Sequence, residues 1–157
     1  MLPEIDIDGQ ERIRKSKILL IGLGGLGSPI SIYLAAAGVG DLTIVDFDKV
    51  DLSNLQRQIL HKTSDINRLK IDSAKEHLLE LNPNINIHSI GKKLSEKDLL
   101  YEAKKSNIII DASDNFDTRF SLNKISVKSK TPLVSGAAIH FEGQVTVFNP
   151  SKKSSPC

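Results

Sequence analysis

The chain has 157 residues, 21 of them basic and 19 acidic, for a formal net charge of +2. That length suits a single domain with a sizeable core, and 39% hydrophobic with 25% charged residues is ordinary for a globular protein. The balance of charge gives no basis for a nucleic acid or a membrane surface as partner, the apolar stretches are too short to span a bilayer, and a single cysteine excludes an intrachain disulfide.

Met1-Leu2-Pro3-Glu4 offers neither the basic nor the apolar region of a secretory signal, so the cytoplasm is the expected location. The first element expected is a strand, Lys17–Ile21, a continuous apolar run ending in glycines as a strand buried on both faces should. A helix follows Gly27, with Pro29 in its first turn and Gly38 just past its last. Leu42–Asp48 reads as a second apolar strand ending in acid. After a polar stretch comes a helix on which Ile71, Ala74, Leu78 and Leu81 share one face, closed by Pro83.

Ile85–Ile90 alternates like a strand, and Ser95 with Asp98 three residues on resembles a capping box for the next helix. Asn107–Asp111 supplies another buried strand, residues 116–130 a helix, and "TPLVSGAA" and "GQVTVFN" two further strands. Strand and helix alternate to about residue 135, which predicts a Rossmann-like α/β fold: a mostly parallel sheet with helices on both faces. Only His140-Phe141-Glu142 joins the last two strands, too few residues for a parallel crossover, so they form an antiparallel extension.

In such a sheet, ligands sit outside the carboxyl ends of the strands. Gly22, Gly24, Gly25 and Gly27 follow the first strand, Asp46 lies near the end of the second, Asp111 and Asp114 at or after the fourth, and Gly136 near the end of the fifth. A glycine loop entering a helix lets backbone N–H groups approach phosphate; the alternative is a tight turn that needs small residues for packing. Asp46, 19 residues after Gly27, stands where an acid accepts from a ribose. Both features would also suit an NAD(P)-dependent oxidoreductase.

Asn54 and Arg57 in the polar stretch, Lys70 at the start of the next helix, and Asp114 separate the two. A nucleoside triphosphate carries about four charges, for which a guanidinium, an ammonium and Mg²⁺ are the natural complement. A carboxylate beside phosphates repels them unless it holds a metal. Singly, Arg57 could be a surface ion pair, Lys70 a solvated helix residue and Asp114 a helix cap. The histidines His61, His77, His88 and His140 share no ligand spacing and are read as surface or packing residues.

Gly22–Gly27, "VDFDKVDLSNLQRQ", Lys70 with Ala74, "DASDN" with Arg119, and "PLVSGAAIHFEGQVTVF" resemble, in order and spacing, the ThiF/MoeB/HesA family, bacterial relatives of ubiquitin-activating enzymes. The resemblance runs from about Leu2 to Cys157. It implies a single ATP-binding adenylyltransferase domain over residues 1–157. Such an enzyme uses MgATP to adenylate the C-terminal glycine of a ubiquitin-like sulfur carrier ending Gly-Gly, releasing pyrophosphate, in molybdopterin, thiamine or related biosynthesis. By the same resemblance Asp46 would hold the ribose, Arg57 and Lys70 the phosphates, Asn54 would shape the site, and Asp114 would hold Mg²⁺.

Members of that family are symmetric dimers, so a homodimer is expected. They also carry an earlier helix whose Arg reaches the other subunit's ATP site, and a four-cysteine zinc site of which Cys157 would be the first ligand. One thiolate cannot make that site, so zinc is not expected here and the chain reads as a core cut at both ends. Two other readings stay open: a binding domain without catalysis, and the oxidoreductase, for which no acid–base residue presents itself.

Overall fold

The computed structural model describes residues 6–152. A six-stranded sheet forms its centre, in the order β3-β2-β1-β4-β5-β6. The strands are β1 Lys17–Ile21, β2 Asp41–Val45, β3 Asn86–Ile90, β4 Ile108–Asp111, β5 Leu133–Ile139 and β6 Glu142–Phe148. The first five are parallel and β6 returns antiparallel to β5; the connection is only His140-Phe141, since Glu142 already pairs with Ile139.

The strand sequence explains the layering. Successive side chains point to opposite faces, and both faces of β1 are apolar. Ile18 and Leu20 pack with Leu42, Ile44 and Ile87 beneath helices α2 (Gly27–Ala36) and α3 (Lys70–Leu81). Leu19 and Ile21 pack with Ile109 and Leu133 beneath α4 (Glu96–Lys105) and α5 (Phe116–Ser129). Helices on both faces are what a parallel sheet of uniformly apolar strands demands. Strand order reverses at β1, whose neighbours β2 and β4 belong to opposite halves of the chain. Ile21 is in register with Val45 on one side and Asp111 on the other, so three carboxyl ends align there.

The structure adds one element to the expected order. Helix α1, Asp6–Arg14, buries only Gly9 and has no apolar stripe to betray it; Gln10 Nε2 fastens it to Ala37 O at 2.9 Å. Strand β2 stops at Val45 instead of reaching Asp48, because the Asp46 carboxylate draws the chain into a turn by accepting from the Asp48 N–H. On α3, Ile71, Ala74 and Leu78 are buried as their spacing requires, whereas Leu81 in the last turn is half exposed. Residues 46–69 form a long connection containing two 3₁₀ turns, Leu52–Asn54 and Thr63–Asp65, and a bridge between Lys49 and Leu69. Among the described residues, no helix is long and apolar enough to cross a membrane. The Leu2–Ile5 segment and Cys157, the sole candidate zinc ligand, lie outside the described residues.

Candidate functional site

The cleft opens where the switch in strand order predicts, over the carboxyl ends of β1, β2, β4 and β5, with a volume near 1050 Å³. Its floor is the glycine loop, whose four glycines do different things. Gly22 has φ +92°, and a Cβ there would stand 2.8 Å from Ala112 O; a Cβ on Gly27 would fall 1.9 Å from Gly22 O. Those two are demanded by the turn itself, and Gly27 does not line the cleft. Gly24 and Gly25 do line it. Around them a Cβ would meet only Gln58 Nε2 at 3.9 Å and the flexible Arg57 stem at 3.3 Å. The fold does not force them to be glycine, so their bare backbone serves whatever occupies the cleft. The loop leads into α2 with Leu26 at the N-cap, a side chain unable to accept from the first N–H groups.

Asp46 holds this loop in place. Its Oδ2 accepts from Leu23 N at 2.7 Å and its Oδ1 from Asp48 N at 2.8 Å. Each carboxylate oxygen retains a lone pair, and the residue lines the cleft between Val45 and Phe47.

Two cations flank the loop. Arg57 arches over Gly25, with its NH2 group 2.8 Å from Asn54 Oδ1. Asn54 itself does not line the cleft; its part is to orient Arg57. Lys70 opens α3 with its side chain only 6% exposed, and Nζ donates to the exposed carboxylate of Asp48 at 2.9 Å. A buried ammonium is tolerated only when paired, and here its partner faces solvent. Lys70 is therefore neither a solvated helix residue nor spare.

The opposite wall comes from the β4–α5 connection. Asp111 is buried and fully engaged, accepting from Ser113 N and Ser113 Oγ on one oxygen and from Ser135 Oγ on the other. It braces the wall. Asn115 caps α5 by accepting from Thr118 N at 2.9 Å, which removes the capping role from Asp114. Asp114 is left exposed in the cleft wall, where Asn115 Nδ2 makes a long 3.4 Å contact with its Oδ1. Arg119 staples the wall to β5 through Ser113 O at 3.0 Å and Gly136 O at 2.9 Å.

The structure thus brings Gly22, Gly24, Gly25, Asp46, Arg57, Lys70 and Asp114 into one cleft and sets Gly27 and Asn54 just behind it. Asp48 and Gln58 also line it; in the sequence Gln58 stands beside Asn54 and Arg57 in the polar stretch with no role assigned to it, and Asp48 is passed over. The pair of acids in "DFD" at a strand end was the available signal for Asp48. Gln58 is 4% exposed, and among the described residues its Oε1 has no hydrogen-bond partner. Among the described residues, no three His, Cys, Asp or Glu side chains gather as a ready-made metal site.

The histidines divide. His88 and His140 are exposed, but His61 and His77 join a network behind the cleft centred on the buried Asp65. Burial alone would raise the Asp65 pKa. The Lys62 N–H, Ser73 Oγ, His77 and Arg68 overcome that and hold it below the usual carboxylate value.

Comparison with known proteins agrees with this architecture. The chain is 51% identical to the molybdopterin-synthase adenylyltransferase of Haemophilus influenzae over 94% of its own length and 61% of that protein's. With the enzyme of the same name from Escherichia coli K12 it shares 45% identity over 100% of its length and 63% of the relative. It therefore spans somewhat under two thirds of these relatives. The crystal structure of E. coli MccB with ATP superposes with a TM-score of 0.83 at 25% identity, covering 91% of this chain and 43% of that one. Residues 1–157 match the ThiF family from end to end, and the chain belongs to that family.

Proposed function

We propose that this chain is the nucleotide-binding core of an adenylyltransferase that activates the C-terminal carboxylate of a ubiquitin-like sulfur carrier with MgATP. The observation that carries the reading is the cleft's charge pattern: Arg57 and Lys70 beside a glycine loop that bares its backbone, with the carboxylates of Asp114 and Asp117 on the wall opposite. The adenylyltransferase relatives and the ATP-bound MccB structure support it.

The chemistry asks little of the protein beyond position and charge. A carboxylate oxygen of the carrier's last glycine attacks the α-phosphorus; an O–P bond forms as the bond to the bridging α–β oxygen breaks, and pyrophosphate leaves with that electron pair. No side-chain nucleophile is needed, and the barrier falls through orientation and stabilisation of developing charge. Asp46, already fixed by two N–H donors, accepts from the ribose hydroxyls. The Gly24–Gly25 backbone and the α2 N-terminus receive phosphate. Arg57, fixed by Asn54, offers a forked guanidinium, and Lys70, released from Asp48, offers a buried point charge. Mg²⁺ would be held by Asp114 together with phosphate oxygens, the arrangement this ion favours over an all-protein cage. Carrier docking and self-association fall to the β5–β6 hairpin, which exposes Ile139, Phe141, Val145 and Val147.

The test is carrier-dependent exchange of labelled pyrophosphate into ATP. Exchange that requires the carrier's Gly-Gly end and disappears in Asp114→Ala supports the proposal. Tight MgATP binding without exchange would leave a binding domain, and preference for NAD would overturn the reading.

A further inference from the structure

Lys70 and Asp48 form an ion pair whose two members are held very differently. The Lys70 side chain is 6% exposed and its Nζ donates to Asp48 Oδ2 at 2.9 Å, whereas the Asp48 side chain is 58% exposed. The backbone of Asp48 cannot follow its carboxylate. Its N–H donates to Asp46 Oδ1 at 2.8 Å, and its carbonyl accepts from Lys70 N at 2.9 Å. Beside it Lys49 bridges Leu69, Val50 N donates to Arg68 O at 2.9 Å, and Asn67 N donates to Val50 O at 3.0 Å. The segment is zipped to the start of α3, and the exposed carboxylate is the part with room to turn. Asp48 and Lys70 both line the cleft. A buried ammonium needs a counter-charge in every state, and a phosphate brought to Nζ repels a carboxylate that is already there.

We propose that Asp48 is a positioning residue that acts through Lys70: its carboxylate stands in for phosphate between turnovers, swings into solvent when the triphosphate arrives, and takes Lys70 back as pyrophosphate departs. The inference rests on reading the cleft as a nucleotide site. Lys70 then carries a paired charge, already aimed into the cleft, before and after each turnover. Exchanging one anion for another avoids the large penalty of leaving a buried ammonium alone. It also makes Asp48 a competitor of any phosphate that Lys70 binds, so substrate and product are both held more weakly. The gain is in release, since pyrophosphate leaves Lys70 with its replacement within reach.

Titration with MgATP, magnesium pyrophosphate and adenosine tests this. Asp48→Asn keeps the backbone bonds and loses the charge; MgATP and pyrophosphate should each bind about fivefold tighter, the scale of an ion pair with one partner in solvent. Dissociation of bound pyrophosphate, followed by stopped flow, should slow by about the same factor. Adenosine has no phosphate and should bind wild type and variant within about twofold; its loss in the variant would mark a disturbed site and overturn the proposal. In a Lys70→Met background, Asp48→Asn should change MgATP affinity by less than about twofold. A gain that persists undiminished there is general charge repulsion and overturns the proposal, as does weaker or unchanged MgATP binding in Asp48→Asn alone. Wild-type protein that binds neither MgATP nor pyrophosphate defeats the nucleotide reading and this proposal with it, whereas wild-type binding without a gain in the variant defeats the proposal alone.

Discussion

Gly22 and Gly25 occupy the same loop for unrelated reasons, and substitution separates them. Gly22→Ala forces a side chain into positive φ against the Ala112 carbonyl, and unfolding midpoints should report a loss of about 2 kcal/mol or more. Gly25→Ala meets only the movable Arg57 stem; its stability should stay within about 0.5 kcal/mol, whereas MgATP affinity by titration calorimetry should fall about tenfold, or ~1.4 kcal/mol. Lys70→Met is the companion case. The apolar stem keeps the buried site filled and Asp48 is already in solvent, so the fold persists while pyrophosphate exchange drops at least about 100-fold. Residue types at fixed spacings made Asp46, Arg57, Lys70 and Asp114 legible. The division of labour among the glycines was not, since it depends on which carbonyl lies across the turn.

At the scale of elements, legibility followed burial. β1, β4 and the core face of α3 announced themselves through apolar pattern, and the hairpin through its short connection. α1 stayed silent because it fully buries only Gly9 and packs a single partly buried apolar side chain, Ile13, against the core. Residues 46–69 were silent too, since 3₁₀ turns held by side chains carry no period. The α5 cap illustrates how such local contacts tune the site. The sequence allowed Asp114 as the cap, whereas in the structure Asn115 takes that role and leaves Asp114 to the cleft. Asn115→Ala should cost about 1 kcal/mol of stability. It should also weaken exchange activity by loosening Asp114, while Asn115→Asp, which preserves an acceptor for Thr118 N, should restore the stability.

For the molecule as a whole, acid is the informative perturbation. His61 has a lowered pKa because burial penalises its charged form, so the unfolded chain takes up its proton first; stability is complete above about pH 6.5 and declines as pH falls through that value. Asp65 is also lowered, by donors that outweigh its burial, and its contribution is lost at lower pH, as the solution falls below about 3.9 toward the native value. Denaturation followed against pH should show two successive losses, and His61→Gln should abolish the first alone. The two edges of the sheet differ in another respect. β3 ends one side with Asn86 and His88 turned to solvent, whereas β6 ends the other with Val145 and Val147 exposed along an open strand. An unguarded apolar edge is a template for further strand pairing. Left uncovered, this domain should therefore lose colloidal stability from one side only. Sedimentation velocity should show concentration-dependent growth that Val145→Lys suppresses, while a lysine placed on β3 leaves it unchanged.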